Sequence, residues 1–141
     1  MNRKFWIGSL VAFVVWMAGS FLIHGTLLKN DYLALPALFR PEAEAQEHLW
    51  IMILAHVMLA IAFVWIYSRG ISSAPWMGQG LRFGIAVAFL AVIPTYLIYY
   101  VVQPMPAGLA HKQMIFDGLL VVVLGLTVAA VYRNPPAGKQ L

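Results

Sequence analysis

Cysteine is absent from this chain of 141 residues, and charged residues make up only 10% of it. The lack of cysteine excludes a disulfide framework, a thiolate metal site and thiol catalysis. Soluble domains carry about 25% charged residues, so the small charged fraction excludes a protein that meets water on all sides. The sequence also lacks a glycine-rich phosphate loop and any pattern typical of RNA or DNA binding, so no nucleic-acid partner is expected.

Long hydrophobic runs dominate the sequence, of which 62% is hydrophobic. Four runs stand apart, at 5–28, 49–67, 83–102 and 114–132, the last entered from about Ala110. Each approaches the ~20 residues with which an α-helix crosses ~30 Å of hydrocarbon, where backbone polar groups must bond within the helix. We therefore predict an all-α protein of one domain, a polytopic four-helix transmembrane bundle over 1–141. Its helices are expected at about 5–28, 41–69, 80–103 and 110–133.

The basic residues are spread unevenly, and their distribution predicts an orientation. Six of the nine lie near the chain ends or the second loop with no acid among them: Arg3, Lys4, Arg69, Arg82, Arg133 and Lys139. The other three share the opposite side with all five acidic residues. Because Lys and Arg mark cytoplasmic loops, we expect both termini in the cytoplasm and loops 29–48 and 103–110 outside. The partner that the sequence indicates most directly is the lipid bilayer.

The entry to the second helix has a recognisable pattern. Pro41 lacks only an N–H that the first turn of a helix would leave unbonded, and Glu42 and Glu44 suit the positive end of the helix dipole. Helix 2 is therefore expected to begin near Pro41, about two turns above the membrane. That position makes His48 a residue of the membrane boundary.

The chain contains five short segments: "FLIHGTLLKNDY", "FRPEAEAQ", "FVWIYSRG", "GLRFG" and "QPMPAGLA". They place a His-Gly after the first apolar run, an aromatic-Arg-Pro-Glu entry before helix 2, a Gly-rich entry to helix 3 and a Pro-x-Pro turn after it. In these features the sequence resembles an uncharacterised family of short bacterial four-helix inner-membrane proteins. The resemblance covers nearly the whole chain and implies the same fold and a multi-pass location in the bacterial inner membrane. It carries over no activity.

Ionisable residues inside the apolar runs are the main functional signal. His24, His56 and Asp117 come from three different runs and are expected roughly 6–10 Å below the outer boundary. An aspartate at mid-membrane costs about 2.5–3.5 kcal/mol on insertion scales, so Asp117 should face the bundle interior and find a partner in His24 or His56. We expect an intramembrane polar network of six residues: His24, His56, Tyr96, Tyr99, Gln103 and Asp117.

Three functions fit such a cluster. A metal ion would take ligands of the types found at His48, Met52, His56, His111 and Asp117, the first three of which are four residues apart on one helix. A b-type haem would lie between His24 and His56 as axial ligands. A path for protons or small solutes would use the Asp–His pair as a relay. The alternative is that these residues only make hydrogen bonds between helices, worth about 0.6–2 kcal/mol, and bind no cofactor.

Small residues mark expected packing positions on the third and fourth helices: Gly80, Gly84, Ala88, Gly118 and Gly125. They favour packing within the bundle over association between copies. Catalysis has little support, since Ser9 and Ser20 lie in helix 1 without the strand–turn–helix elbow of a nucleophilic serine. We therefore expect a non-enzymatic integral membrane protein, structural or accessory to a larger membrane complex or a homo-oligomer. The alternative is the metal, haem or proton site described above.

Overall fold

The computed structural model describes residues 3–133, and none of them lies in a β-strand. In chain order they form six helices: α1 (Arg3–Leu27), α2 (Lys29–Leu33), α3 (Glu42–Glu47), α4 (Leu49–Arg69), α5 (Trp76–Val102) and α6 (Ala107–Tyr132). Of these, α1, α4, α5 and α6 are long and apolar enough to cross a membrane, which confirms the predicted four-helix membrane fold. The orientation of the chain ends stays a prediction, and Lys139, on which it partly rests, lies outside the described residues.

The helix ends differ from the predicted ones at two prolines and one histidine. The helix predicted over 41–69 is interrupted at His48, whose backbone (φ −100°, ψ 5°) separates α3 from α4. Pro75 and Pro106 stand immediately before α5 and α6, which begin earlier than the predicted residues 80 and 110. Both prolines are extended, with ψ of 132° and 137°, and their rings fix a φ that suits the entry to a helix.

The four long helices pack in the order α4–α1–α6–α5, with α1 and α6 in the middle. We call the side at which α1 begins and α6 ends the terminal face, and the side that carries residues 28–48 the long-loop face. Near the terminal face, the rings of Phe63 and Tyr67 on α4 lie 4.7 and 5.3 Å from the ring of Phe83 on α5. Toward the long-loop face, residues 49–55 of α4 are exposed throughout. The bundle is therefore closed near the terminal face, while this part of α4 is not covered by the other helices.

Glycines allow α5 and α6 to touch through their backbones. A Cβ added at Gly84 would lie 2.6 Å from the Cα of Val122, and one at Gly80 would lie 2.7 Å from the carbonyl oxygen of Gly125. No side chain fits at such distances, so these glycines set the separation of the two helices. Ala88 is buried one turn further along α5. Gly118 differs from the expectation, because no heavy atom of the described residues beyond the adjacent backbone of α6 lies within 4 Å of the position that its Cβ would take.

Two apolar clusters fill the bundle. The larger contains ten buried residues from α1, α4 and α6: Phe5, Ala12, Ala60, Phe63, Val64, Tyr67, Val121, Leu124, Val128 and Ala129. The smaller lies at the long-loop face and is built on five buried residues: Ile23, Leu28, Met105, Leu109 and Ala110. Leu35, Leu38 and Phe39 pack against the smaller cluster. The connection between α1 and α4 is thereby held against the first turns of α6, next to the polar residues described below.

Candidate functional site

His24 lies in a π-helical turn, Ile23–Leu27, at the end of α1. In this turn the N–H of Leu28 donates to the carbonyl oxygen of Ile23 at 2.8 Å, five residues back instead of four. A π-turn holds one residue more than an α-turn, and such turns occur frequently at functional sites. The histidine is therefore presented to α6 and α2 by a local departure from the regular helix.

The centre of the site is a pair formed by His24 of α1 and Asp117 of α6. The imidazole Nε2 lies 3.2 Å from Oδ1 of the aspartate, and the side chains are 34% and 13% exposed. The hydroxyl of Tyr96 on α5 donates to the other carboxylate oxygen, Oδ2. Because both carboxylate oxygens accept hydrogen bonds, we assign Asp117 as ionised, with Nε2–H of His24 as the second donor. Three long helices meet at this one carboxylate.

A second pair of side chains extends the network toward the long-loop face. The hydroxyl of Tyr32 on α2 lies 2.5 Å from Nδ1 of His24, and its ring is stacked on the imidazole with centroids 6.0 Å apart. The side-chain amide of Gln113 on α6 donates to the same hydroxyl at 3.3 Å. A neutral His24 that donates from Nε2 accepts at Nδ1, so the hydroxyl hydrogen of Tyr32 points to His24. One chain of hydrogen bonds thus runs from Gln113 to Tyr96.

Tyr32 and Gln113 were not among the predicted site residues. Gln113 precedes Asp117 by four residues on α6, and that spacing on one helix face was a signal for it. Tyr32 lies in the connection between α1 and α4, eight residues from His24. The position of the Tyr32 ring over the imidazole of His24 depends on how the connection packs against α6, and no local sequence pattern predicts that packing.

Burial raises the pKa of the Tyr32 hydroxyl to about 12, with Asp117 and Asp31 acting in the same direction. The hydrogen bond from Gln113 lowers this pKa, with a smaller effect than burial but a larger one than either carboxylate. Tyr32 is therefore a neutral donor at any physiological pH.

Tyrosinate absorbance provides a test of this environment. In the folded protein Tyr32 should ionise near pH 12, while the unfolded chain loses the same proton near its ordinary pKa of 10.0. The folded state then binds more protons in that interval, so the stabilisation from Tyr32 is full below pH 10 and declines as the pH rises toward 12. The difference between wild type and Tyr32→Phe at 295 nm isolates this titration. A midpoint near 10 would show that Tyr32 is not buried against His24.

His56 is held in a separate place. Its Nδ1 donates to the carbonyl oxygen of Met52 at 2.8 Å, so its Nε2 accepts from the hydroxyl of Ser20 at 3.1 Å. The indole of Trp16 meets the ring edge to face with centroids 6.3 Å apart. Both nitrogens of His56 are thus engaged between α4 and α1, away from Asp117 on α6. The expectation that His56 joins the same network is not met, because α4 packs mainly on α1 and the ring nitrogens of His56 are engaged by Ser20 and the Met52 carbonyl.

The remaining members of the predicted network lie beside it. The ring of Tyr99 is 6.5 Å from that of Tyr96, edge to face, and is 44% exposed. Gln103 follows the last residue of α5, and its backbone N–H donates to the carbonyl oxygen of Tyr99 at 2.8 Å. The haem hypothesis gains nothing from the geometry, since the ring nitrogens of His24 and His56 all have hydrogen-bond partners in the bundle.

The predicted metal ligands are not brought together. His48 is exposed, and its Nδ1 donates to the carbonyl oxygen of Glu44 at 2.9 Å. His111 is exposed on α6, and Met52 is 46% exposed on α4. Across residues 3–133, no three His, Asp or Glu side chains form a group that could hold a metal ion. The four-residue spacing on α4 therefore assembles no metal centre.

Comparison of this chain with models of protein families, with curated proteins and with solved structures found no match. The fold and the site together define the class of protein. It is a four-helix membrane protein with a hydrogen-bonded His–Asp pair between three of its long helices. The chemistry open to such a pair is the gain and loss of a proton, since neutral imidazole beside a carboxylate gives a net charge of −1 that a proton cancels.

Proposed function

We propose that this integral membrane protein binds a proton at His24 and Asp117, and that the proton enters and leaves from the long-loop face. The observation that carries the proposal is the unbroken chain of hydrogen bonds from Gln113 through Tyr32 and His24 to Asp117. Hydrogen bonds of this kind align donors and acceptors so that one added proton is shared by the chain. Ionisable groups within a membrane are functional far more often than those on a soluble surface.

A proton fits the site better than a metal ion or a solute. Each ring nitrogen of His24 and each carboxylate oxygen of Asp117 already has a protein partner. A metal would have to displace these partners, whereas a proton adds to the lone pair on Nδ1 and requires only that the Tyr32 hydroxyl hydrogen turn to another acceptor. The resulting imidazolium is stabilised by the carboxylate 3.2 Å away.

The arrangement of α6 supports access from one face only. On the long-loop side, Gln113 and Tyr32 lie between the pair and an exposed ion pair, in which Lys112 Nζ is 2.8 Å from Asp31 Oδ1. On the other side, the residues that follow Asp117 along the same stripe of α6 are Val121, Leu124 and Val128, each at most 2% exposed. These side chains neither donate nor accept protons, so along α6 the relay does not continue past Asp117, and its last member is the Tyr96 hydroxyl on α5.

Protonation would also reorient the Gln113 amide. When Nδ1 of His24 carries a proton it donates to Tyr32, and the hydroxyl hydrogen of Tyr32 needs a new acceptor. The Oε1 atom of Gln113 is buried and has no hydrogen-bond partner within the described part of the chain. A rotation of this amide brings Oε1 to the hydroxyl, so the protonation of His24 is coupled to the connection that carries Tyr32.

Nitrogen-15 NMR of labelled histidine in bilayers tests the proposal. The His24 imidazole is expected to gain a proton reversibly on acidification, which changes its nitrogen signals from the neutral to the imidazolium pattern. In Asp117→Asn the stabilising charge is gone, so a smaller fraction of His24 should be protonated under the same conditions. His48, exposed on the same face, is the matched control and should give the same spectrum in both proteins. A His24 signal that stays neutral throughout, or one unchanged by Asp117→Asn, overturns the proposal.

A second proposal concerns the role of the protein in a larger assembly. Only 6% of the most apolar stretch of α5 is buried in the monomer, and residues 41–55 are exposed throughout. These surfaces support an accessory component that packs against another membrane protein. Gentle extraction followed by native mass spectrometry should then find the chain in a complex. Recovery as a monomer under all mild conditions counts against this role and leaves the proton site untouched.

A further inference from the structure

The terminal face carries cations without acidic partners. On the long-loop face each cation has a carboxylate within 3.0 Å: Lys29 with Glu42, Arg40 with Glu44 and Lys112 with Asp31. All five acids of the sequence lie between residues 31 and 117, and none lies on the terminal face. Among residues 3–133, no acidic side chain forms an ion pair with Arg69, Arg82 or Arg133. Arg69 instead lies 5.2 Å over the ring of Trp65, and Arg82 donates through Nε to the carbonyl oxygen of Gly78 at 3.1 Å.

Two adjoining cavities lie among these arginines. They have volumes of about 200 and 440 Å³ and are lined by the end of α4, residues 70–75 and the start of α5, with the end of α6 also lining the smaller one. Arg133 lines the smaller cavity and Arg82 the larger. Three residues line both: Tyr67, Ser72 and Gln79. The cavities thus share one polar rim, and each cavity is lined by one arginine.

The rim is held in place by Gln79. Its Oε1 accepts from the N–H of Ser72 at 2.9 Å, and its Nε2 donates to the carbonyl oxygens of Ser72 and Ala74 at 3.1 and 2.5 Å. The Ser72 hydroxyl accepts from the N–H of Ala74 at 3.3 Å, which leaves its own hydrogen to donate. These bonds fix residues 72–74 against the first turn of α5.

One buried hydroxyl at the smaller cavity lacks a partner. Tyr132 lines this cavity, and its OH atom is buried without a hydrogen bond to any described residue. A buried polar group of this kind costs free energy unless a ligand or water satisfies it. The Ser72 hydroxyl and the two arginines that line the cavities offer donors and positive charge, and the Tyr132 hydroxyl is a further donor beside the smaller cavity. Among residues 3–133, no acidic side chain lines either cavity.

We propose that the two cavities bind the phosphate group of an anionic phospholipid. Guanidinium groups and hydroxyls are the donors that bind phosphate oxygens most effectively, and basic clusters at the ends of membrane helices attract anionic lipids. The cavities lie where α4 ends and α5 begins, which is the level of lipid headgroups in a spanning bundle. Ile66 and Ile71, 52% and 45% exposed, line the larger and smaller cavities and provide apolar contact for acyl chains.

Native mass spectrometry of the full chain in mild detergent tests this site with phosphatidylglycerol as the probe and phosphatidylcholine as the zwitterionic comparison. Phosphatidylglycerol should be retained preferentially, and Arg82→Gln with Arg133→Gln should reduce its affinity at least about tenfold. The matched control is Arg3→Gln with Lys4→Gln, which removes equal charge from the same face at residues that line neither cavity. That control should change the affinity less than about twofold, since long-range charge is largely screened.

Two further measurements, on a Tyr132→Phe variant and in the presence of inorganic phosphate, identify the ligand. Tyr132→Phe should weaken phosphatidylglycerol binding several-fold without lowering the thermal stability of the lipid-free protein, because it removes only an unpartnered hydroxyl. Retention of phosphatidylglycerol in millimolar inorganic phosphate assigns the site to a lipid headgroup, whereas displacement assigns it to free phosphate and overturns the lipid assignment. The site itself is overturned if Arg3→Gln with Lys4→Gln weakens phosphatidylglycerol binding as much as Arg82→Gln with Arg133→Gln does. It is also overturned if the protein retains phosphatidylcholine as well as phosphatidylglycerol.

Discussion

Gly84→Ala is expected to destabilise the protein by about 1–3 kcal/mol, although alanine is the better helix former. The added methyl group would lie 2.6 Å from the Cα of Val122 and 2.9 Å from the carbonyl oxygen of Val121. Both neighbours are backbone atoms, which cannot rotate away as a flexible side chain can. Relief therefore requires α5 and α6 to separate, and that separation loosens van der Waals contacts along the whole pair. Reversible unfolding in mixed detergent micelles measures the change.

Gly118→Ala is the matched control for this prediction. The substitution is chemically identical and falls on α6, but no heavy atom of the described residues beyond the adjacent backbone of α6 lies within 4 Å of the new methyl group. It should stabilise the protein by up to about 1 kcal/mol, the difference in helix propensity. A loss of stability in Gly84→Ala together with a gain in Gly118→Ala supports backbone contact at Gly84. The same sign for both would mean that α5 and α6 do not pack as described.

The double substitution His24→Leu with Asp117→Leu is expected to abolish proton binding at the site while preserving the fold. Replacing a buried ionic pair by apolar residues of similar volume is often neutral or stabilising, because the pair no longer has to be desolvated. Either single substitution leaves one polar partner without its match and should be less stable than the double, with a coupling energy of about 1–3 kcal/mol. Proton uptake on acidification, measured with a pH-sensitive dye in micelles, should fall by the whole amount that His24 takes up in the wild-type protein.

A second histidine provides the control for that experiment. Ser20→Ala with His56→Leu removes another histidine hydrogen-bonded between two helices, the bond being 3.1 Å long. It should reduce stability modestly, in keeping with the small energies of hydrogen bonds between membrane helices, about 0.6–2 kcal/mol. Proton uptake at His24 should be unchanged. If this control loses as much proton uptake as His24→Leu with Asp117→Leu, then the contact with Asp117 does not make His24 a better proton site than His56.

The spanning helices could be predicted because run length and hydropathy are local properties of the sequence. Their ends were less predictable. His48 interrupts the helix predicted from Pro41, and neither its identity nor its neighbours signal a break. Gly118 lies seven residues before Gly125 and so on the same face of α6, yet only Gly125 meets α5. The contact of Gly84 with Val122 places Gly118 level with Ala88, where the π-turn Ala88–Val92 interrupts α5.

The candidate site could be predicted only in part from the sequence, for a similar reason. The position of a residue along a spanning helix gives its depth, so His24, His56 and Asp117 could be placed near one level. Depth does not report the direction in which a side chain points around the helix axis. That direction decided that His24 meets Asp117 while His56 meets Ser20. The π-turn that carries His24 also changes the direction of this side chain around the axis of α1 from the one that a regular α-helix would give.

The measurement that most directly tests the central claim is an acid step applied to one face of the reconstituted bundle, followed by infrared difference spectroscopy. The chain has no cysteine, so single cysteines at Ala37 and Ser73, both exposed, report the orientation through a membrane-impermeant maleimide. Acidification at the long-loop face should produce imidazolium and carboxylate bands that vanish in His24→Leu with Asp117→Leu. Acidification at the terminal face should produce none before the gradient decays. Equal bands from both faces, or bands from the terminal face alone, would contradict a proton site reached from the long-loop side.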